Sequence, residues 1–139
     1  MSSRVEEAEA LVGLGRMHAM TGESADATAR LDEAMAIARA IDEPNSLALS
    51  SSIRAALPGG DAVAAAKSLD DLGTRPWHVA RMEARWWLWK ATNDRAHLME
   101  SWRLLRHLRD HAPEENRVTV IANVPLHRDI AAAAKAAGL

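Results

Sequence analysis

Two interleaved series of helix-breaking residues constrain this chain more than any other feature. Gly22, Gly59-Gly60 and Asn93-Asp94 recur about every 34–37 residues, and Pro44, Pro76 and Pro113 fall between them. The intervening segments are rich in Ala, Leu, Glu and Arg, with few β-branched residues and no Phe or Tyr, which is helix-forming composition. Two sets of breakers offset by half a period predict helices in pairs, each pair with a tight internal turn and a proline-marked link to the next. The expectation is a single all-α domain over residues 1–139, with repeats at about 5–44, 46–75 and 76–112. A stack of such pairs leaves its last apolar face open, so residues 113–139 are expected to form C-terminal capping helices.

Periodicity within the segments supports this. The first helix opens on a capping box, Ser3 with Glu6, and sets Val5, Ala8, Leu11, Val12 and Gly15 on one face. Ser24 is expected to cap the second, with Ala27, Leu31, Ala34, Ala38 and Ile41 as its apolar stripe and Asp26 pairing with Arg30. Leu49, Ile53 and Leu57 mark the third; Asp61 caps the fourth, which carries Ala62, Ala65, Ala66, Leu69 and Leu72. Pro76 is expected in the first turn of a helix running to Thr92, and Asp94 caps the next, with Leu98, Trp102, Leu105 and Leu108 on its inner face. In the tail, Val118–Ile121 is expected to form a short helix ended by Pro125, and Ile130–Ala137 a final one.

Leu11, Leu14, Gly15, Gly22, Ala27, Leu31 and Ala34 stand where tetratricopeptide repeats place their packing residues. Ala65, Leu69 and Leu72, then Leu98, Trp102 and Leu105, fill second-helix positions of two further repeats, so residues 8–112 resemble that family. His18 replaces its usual tyrosine, Leu98 its alanine and Trp86 a small residue. The resemblance implies a right-handed solenoid of about three antiparallel helix pairs whose first helices line a concave groove. From Asn93 onward the chain also resembles the C-terminal repeat region of large bacterial ATPase, nucleotide-cyclase or kinase signalling regulators.

Several functions are disfavoured on composition. Net charge is −2, without the basic excess of a nucleic-acid-binding domain, although residues 1–72 carry 6 basic and 12 acidic groups and residues 73–139 carry 11 and 7. Arg95, Arg103, Arg106 and Arg109 cluster, but Glu100 and Asp110 dilute them. No segment approaches the roughly 18 apolar residues of a membrane span, and Met1–Glu7 lacks the apolar run of a signal peptide, so no membrane partner and a cytoplasmic location are expected. Cysteine is absent, Gly13-Leu14-Gly15 does not complete a phosphate-binding motif, and Ser50–Ser52 read as surface serines rather than a nucleophile. His107 and His111 lie one turn apart without a third ligand beside them, which reads as a solvated or helix-capping pair rather than a metal centre. The chain is therefore read as non-enzymatic, with no cofactor and no metal.

All five tryptophans fall within 26 residues, Trp77 to Trp102. Trp86 and Trp89 are read as core and Trp87 as an exposed anchor for a partner. The groove register implied by the resemblance selects Arg16 and Met20 in the first repeat, Ser50 and Arg54 in the second, and Glu83, Trp87 and Lys90 in the third. Arg16, Arg54 and Lys90 would set one cation per repeat beside an indole face, suited to an acidic or carboxylate-bearing protein segment. The reading is a protein–protein interaction module; a small-molecule sensing domain serving an ATPase or cyclase, and a homodimerising module joined through the tryptophan-rich pair, are the alternatives.

Overall fold

The computed structural model describes residues 3–139; Met1 and Ser2, part of the stretch read for a leader, lie outside the described residues. The described chain is helical and without strands: α1 (Arg4–Met20), α2 (Ser24–Ile41), α3 (Pro44–Ala55), α4 (Ala62–Leu72), α5 (His78–Thr92), α6 (Arg95–Asp110), a 3₁₀ turn (Glu114–Asn116), α7 (Arg117–Ala122) and α8 (Pro125–Ala136). The breaks fall where the sequence placed them. Gly22 (φ 81°) and Asn93 (φ 56°) take the left-handed conformation that ends a helix, as does Asp42 (φ 54°) at the end of α2.

The helix starts are set by local hydrogen bonds. The Ser3–Glu6 capping box forms, Asp61 accepts from the Ala64 N–H and Asp94 from the Ala96 N–H. Glu43 caps α3, its carboxylate accepting from Asn45 N (2.9 Å) and Ser46 N (2.6 Å). Four expectations need correction. Ser24 is the first residue of α2 rather than its cap, and Glu23 precedes it with no side-chain capping bond. Pro76 is fully buried ahead of α5, which begins at His78. Arg30 pairs with Glu33 (3.7 Å), not Asp26, because the i, i+3 partner also lies on its face. In the tail, α7 forms as expected, while α8 starts at Pro125, five residues before Ile130.

Packing follows chain order. α1 lies against α2 and α3, α3 against α2, α4 and α5, α5 against α4 and α6, and α6 against α7 and α8. The apolar core divides into three clusters, and each is completed by a helix from beyond its own pair. Ile53 of α3 joins Leu11, Leu31 and Ile37 of the first pair. Ala84 and Leu88 of α5 join Ala55, Leu69 and Leu72 of the second. Ile130 of α8 joins Met82, Leu104 and Leu105 of the third. The tail thus contributes to the core through Ile130, which is buried with residues of α5 and α6.

Candidate functional site

α1, α3, α5 and the start of α8 border a groove of about 350 Å³. Val12 from α1, Leu49 from α3, Ala80 and Met82 from α5 and Leu126 from α8 supply apolar lining. Trp77 (68% exposed) and Val79 (48%) line it as well and remain open to solvent. Asn45 accepts a hydrogen bond from the Trp77 backbone N–H (2.6 Å), which ties the segment before α5 to the first turn of α3. His127, also in the lining, places Nδ1 2.6 Å from the Val120 carbonyl; as the Nδ1–H tautomer it donates there and fixes α8 to α7.

A charge pair in the lining joins the first and third helix pairs. Arg16 of α1 donates from Nε and Nη2 to both carboxylate oxygens of Glu83 on α5, at 2.7 and 2.9 Å. Trp87 Nε1 adds a third bond to Glu83, at 3.0 Å. This two-pronged pair is partly screened from water, the condition in which charge-assisted bonds fix geometry as well as contribute energy. Arg16 is thereby committed within the chain. Trp87 is half-buried against the first core cluster, so it is an internal strut rather than an exposed anchor, and Trp77 is the exposed indole.

The remaining sequence-selected residues are dispersed. Ser50 is fully buried, its hydroxyl donating to the Ser46 carbonyl (2.6 Å), and so offers nothing to a partner. Ser51 and Ser52 are buried too, against their reading as surface serines. Arg54 faces α2 and α4: its Nε donates to Asp32 (3.3 Å) and its Nη1 to the Pro58 carbonyl (3.2 Å). Lys90 is exposed and stands 5.7 Å from the centre of the Trp86 ring. Met20 is 70% exposed and outside the groove lining. Arg16, Arg54 and Lys90 are thus not gathered into one cationic row. In α3 the lining comes from Asn45, Ser46 and Leu49, a different face from Ser50 and Arg54. Sequence reasoning missed Asn45, Trp77, Val79 and Leu126; the one signal available was that Trp77 and Val79 flank a helix start, where an apolar side chain is not obliged to point inward.

Three of the histidines adjoin one another between α5 and α6. His107 stacks on His111 (ring centres 3.9 Å apart) and lies 5.0 Å from His78. Loss of hydration, and then the neighbouring charges of His111, His78 and Arg103, hold His107 below the ordinary histidine range. Among the described residues, His18, Glu23 and Asp26 bring three metal-capable groups within 4.8 Å of one another; Glu23 is already engaged by Thr21 (2.8 Å) and His18 (3.0 Å). In the arginine-rich stretch of α6, Arg103 is taken up by Glu100 and Arg109 by Asp110. No described helix is long and apolar enough to cross a membrane.

Comparison of the chain with protein-family models, with curated proteins and with solved structures finds no match.

Proposed function

We propose that this chain is a non-catalytic interaction module: a right-handed, tetratricopeptide-like solenoid of three helix pairs, closed by α7 and α8, that holds a protein segment in the groove bordered by α1, α3 and α5. The observation that supports this most is the composition of the groove. It combines the apolar side chains of Val12, Leu49, Ala80 and Met82 with the exposed Trp77 and Val79, and one internally satisfied ion pair. Such a surface suits an apolar side chain of a partner; an exposed tryptophan beside a concavity is the residue type most enriched among binding hot spots. Arg16 is already engaged by Glu83, so in this reading the apolar lining rather than a free cation carries the recognition.

The test is selection of short peptides from a displayed random library on the wild-type chain. Selected peptides should carry an apolar anchor, and their affinity should fall about thirtyfold or more on Val79→Glu, the size of a single hot spot. Arg30→Glu, on the exposed face of α2, should leave it unchanged. Equal losses from both substitutions, or no enrichment over an unrelated helical protein, would remove the groove assignment.

A further inference from the structure

α1 carries a second surface that is exposed among the described residues. Glu6, Ala10, Gly13 and Met17 follow one another at steps of four, three and four, which sets them on one stripe of the helix. Leu14 and Met20 flank it, and Leu14, Met17 and Met20 are 43%, 51% and 70% exposed. Gly13 at its centre is unexplained by the chain itself. A glycine inside a helix costs about 0.5–1 kcal/mol relative to alanine, yet a Cβ added there would meet nothing within 4 Å. The stripe is therefore apolar, notched at Ala10–Gly13, and acidic at its Glu6 end.

A stripe with the same spacing and the opposite charge lies on α6. Arg106, Trp102, Met99 and Arg95, read backwards along the helix, follow at four, three and four. Met99 is 50% exposed; Trp102 is half-buried, packed against the Met82, Leu104, Leu105 and Ile130 cluster, with the Arg106 and Arg109 guanidinium groups 5.6 and 5.9 Å from its ring centre. Arg95 and Arg106 have no carboxylate partner among the described residues, whereas Arg103 and Arg109 do. A surface groove of about 520 Å³ adjoins this stripe and takes in Leu139. The two stripes belong to helices that do not pack on each other, α1 meeting α2 and α3, and α6 meeting α5, α7 and α8.

We propose that the occupant of the α1 stripe is the α6 stripe of a second copy of this chain, packed antiparallel, so that copies associate head to tail. Three complementarities carry the assignment. Glu6 falls opposite Arg106, Trp102 opposite Ala10 and Met99 opposite Gly13, so the two bulky apolar side chains of α6 meet the small-residue notch of α1, while Met17 falls opposite the aliphatic stem of Arg95. The wider charge distribution agrees, because residues 1–72 are net acidic by six and residues 73–139 net basic by four. Contact between two different surfaces does not close on itself, so the product is an open series of copies rather than a closed pair, unless the rotation between copies forms a ring. This inference does not rest on the groove reading, and Val79→Glu should leave self-association unchanged.

The experiment is light scattering coupled to size separation over a range of chain concentrations, with helicity of each variant checked by circular dichroism. The wild-type mass should rise with concentration, and less so near 1 M salt, where screening acts over about 3 Å. Met17→Lys damages only the α1 stripe and Met99→Lys only the α6 stripe; each variant alone should be a monomer. Mixed together they should give a two-chain complex and nothing larger, because one intact stripe of each kind remains. A wild-type chain that stays monomeric to the limit of solubility overturns the proposal. So does association that survives in either single variant, since a contact between two like faces or at the groove would behave that way.

Discussion

Gly13 and Gly15 stand two residues apart in α1 and meet opposite surroundings. A Cβ at Gly15 would come within 2.6 Å of Leu31 in α2, whereas one at Gly13 would meet open space. Gly15→Ala should therefore destabilise the fold by about 1–3 kcal/mol through overpacking, and Gly13→Ala should stabilise it by about 0.5–1 kcal/mol. Urea unfolding of both variants at low chain concentration checks the pair; the same sign for both would contradict the packing of α1 on α2. The same scale explains why Arg16 was legible as a lining residue and illegible as a ligand for a partner. Its position on α1 follows from helical spacing, but Glu83 is 67 residues away, and no local pattern pairs them.

At the scale of the element, α3 shows where reading by periodicity fails. Ser46, Ser50, Ser51 and Ser52 are all buried, and two of them donate to carbonyls one turn back, Ser50 to Ser46 and Ser51 to Leu47. A serine satisfied in this way packs like a small apolar residue. The inner face of α3 therefore lacks the polarity contrast that reveals register, and Leu49 and Asn45 went unrecognised as lining. The start of α3 is also where acid should act. Burial pushes the Glu43 carboxyl up, but the hydrogen bonds from Ser46 and Asn45 outweigh it and hold the group below its ordinary range. A carboxyl depressed in the folded state contributes stability that is present above its unfolded pKa and is lost as pH falls through the folded value. The stability difference between wild type and Glu43→Gln should thus be largest near neutral pH and shrink below about pH 4.3. Urea midpoints of the two proteins from pH 7 to pH 3 measure it; a constant difference would show that the carboxylate bonds at this cap carry no stability.

For the whole molecule, the tail is part of the core. Ile130 is fully buried with Met82, Leu104 and Leu105, and Leu126 reaches the groove lining. Ile130→Ala should cost about 2–5 kcal/mol, the range for emptying a buried isoleucine site. Because α5 borders the groove, the loss should appear as cooperative unfolding of the whole chain by both calorimetry and tryptophan fluorescence. A fluorescence change confined to an early, separate transition would mean that the tail is a detachable appendage.

The breakers and the caps at Ser3, Asp61 and Asp94 are local events, complete within about one turn of helix, and the apolar stripes of α2 and α4 repeat within a single helix; the sequence by itself determined them. It also determined that a tail helix would cover the last pair, since an open apolar face requires one. Other features were decided by tertiary structure alone. Trp87 turns inward and Trp77 outward, α3 presents Leu49 rather than Arg54 to the groove, Arg16 closes on Glu83, and α8 begins at the groove edge. Each depends on how one helix is rotated against another, and that rotation is settled by packing between segments dozens of residues apart, where neither spacing nor composition carries the information.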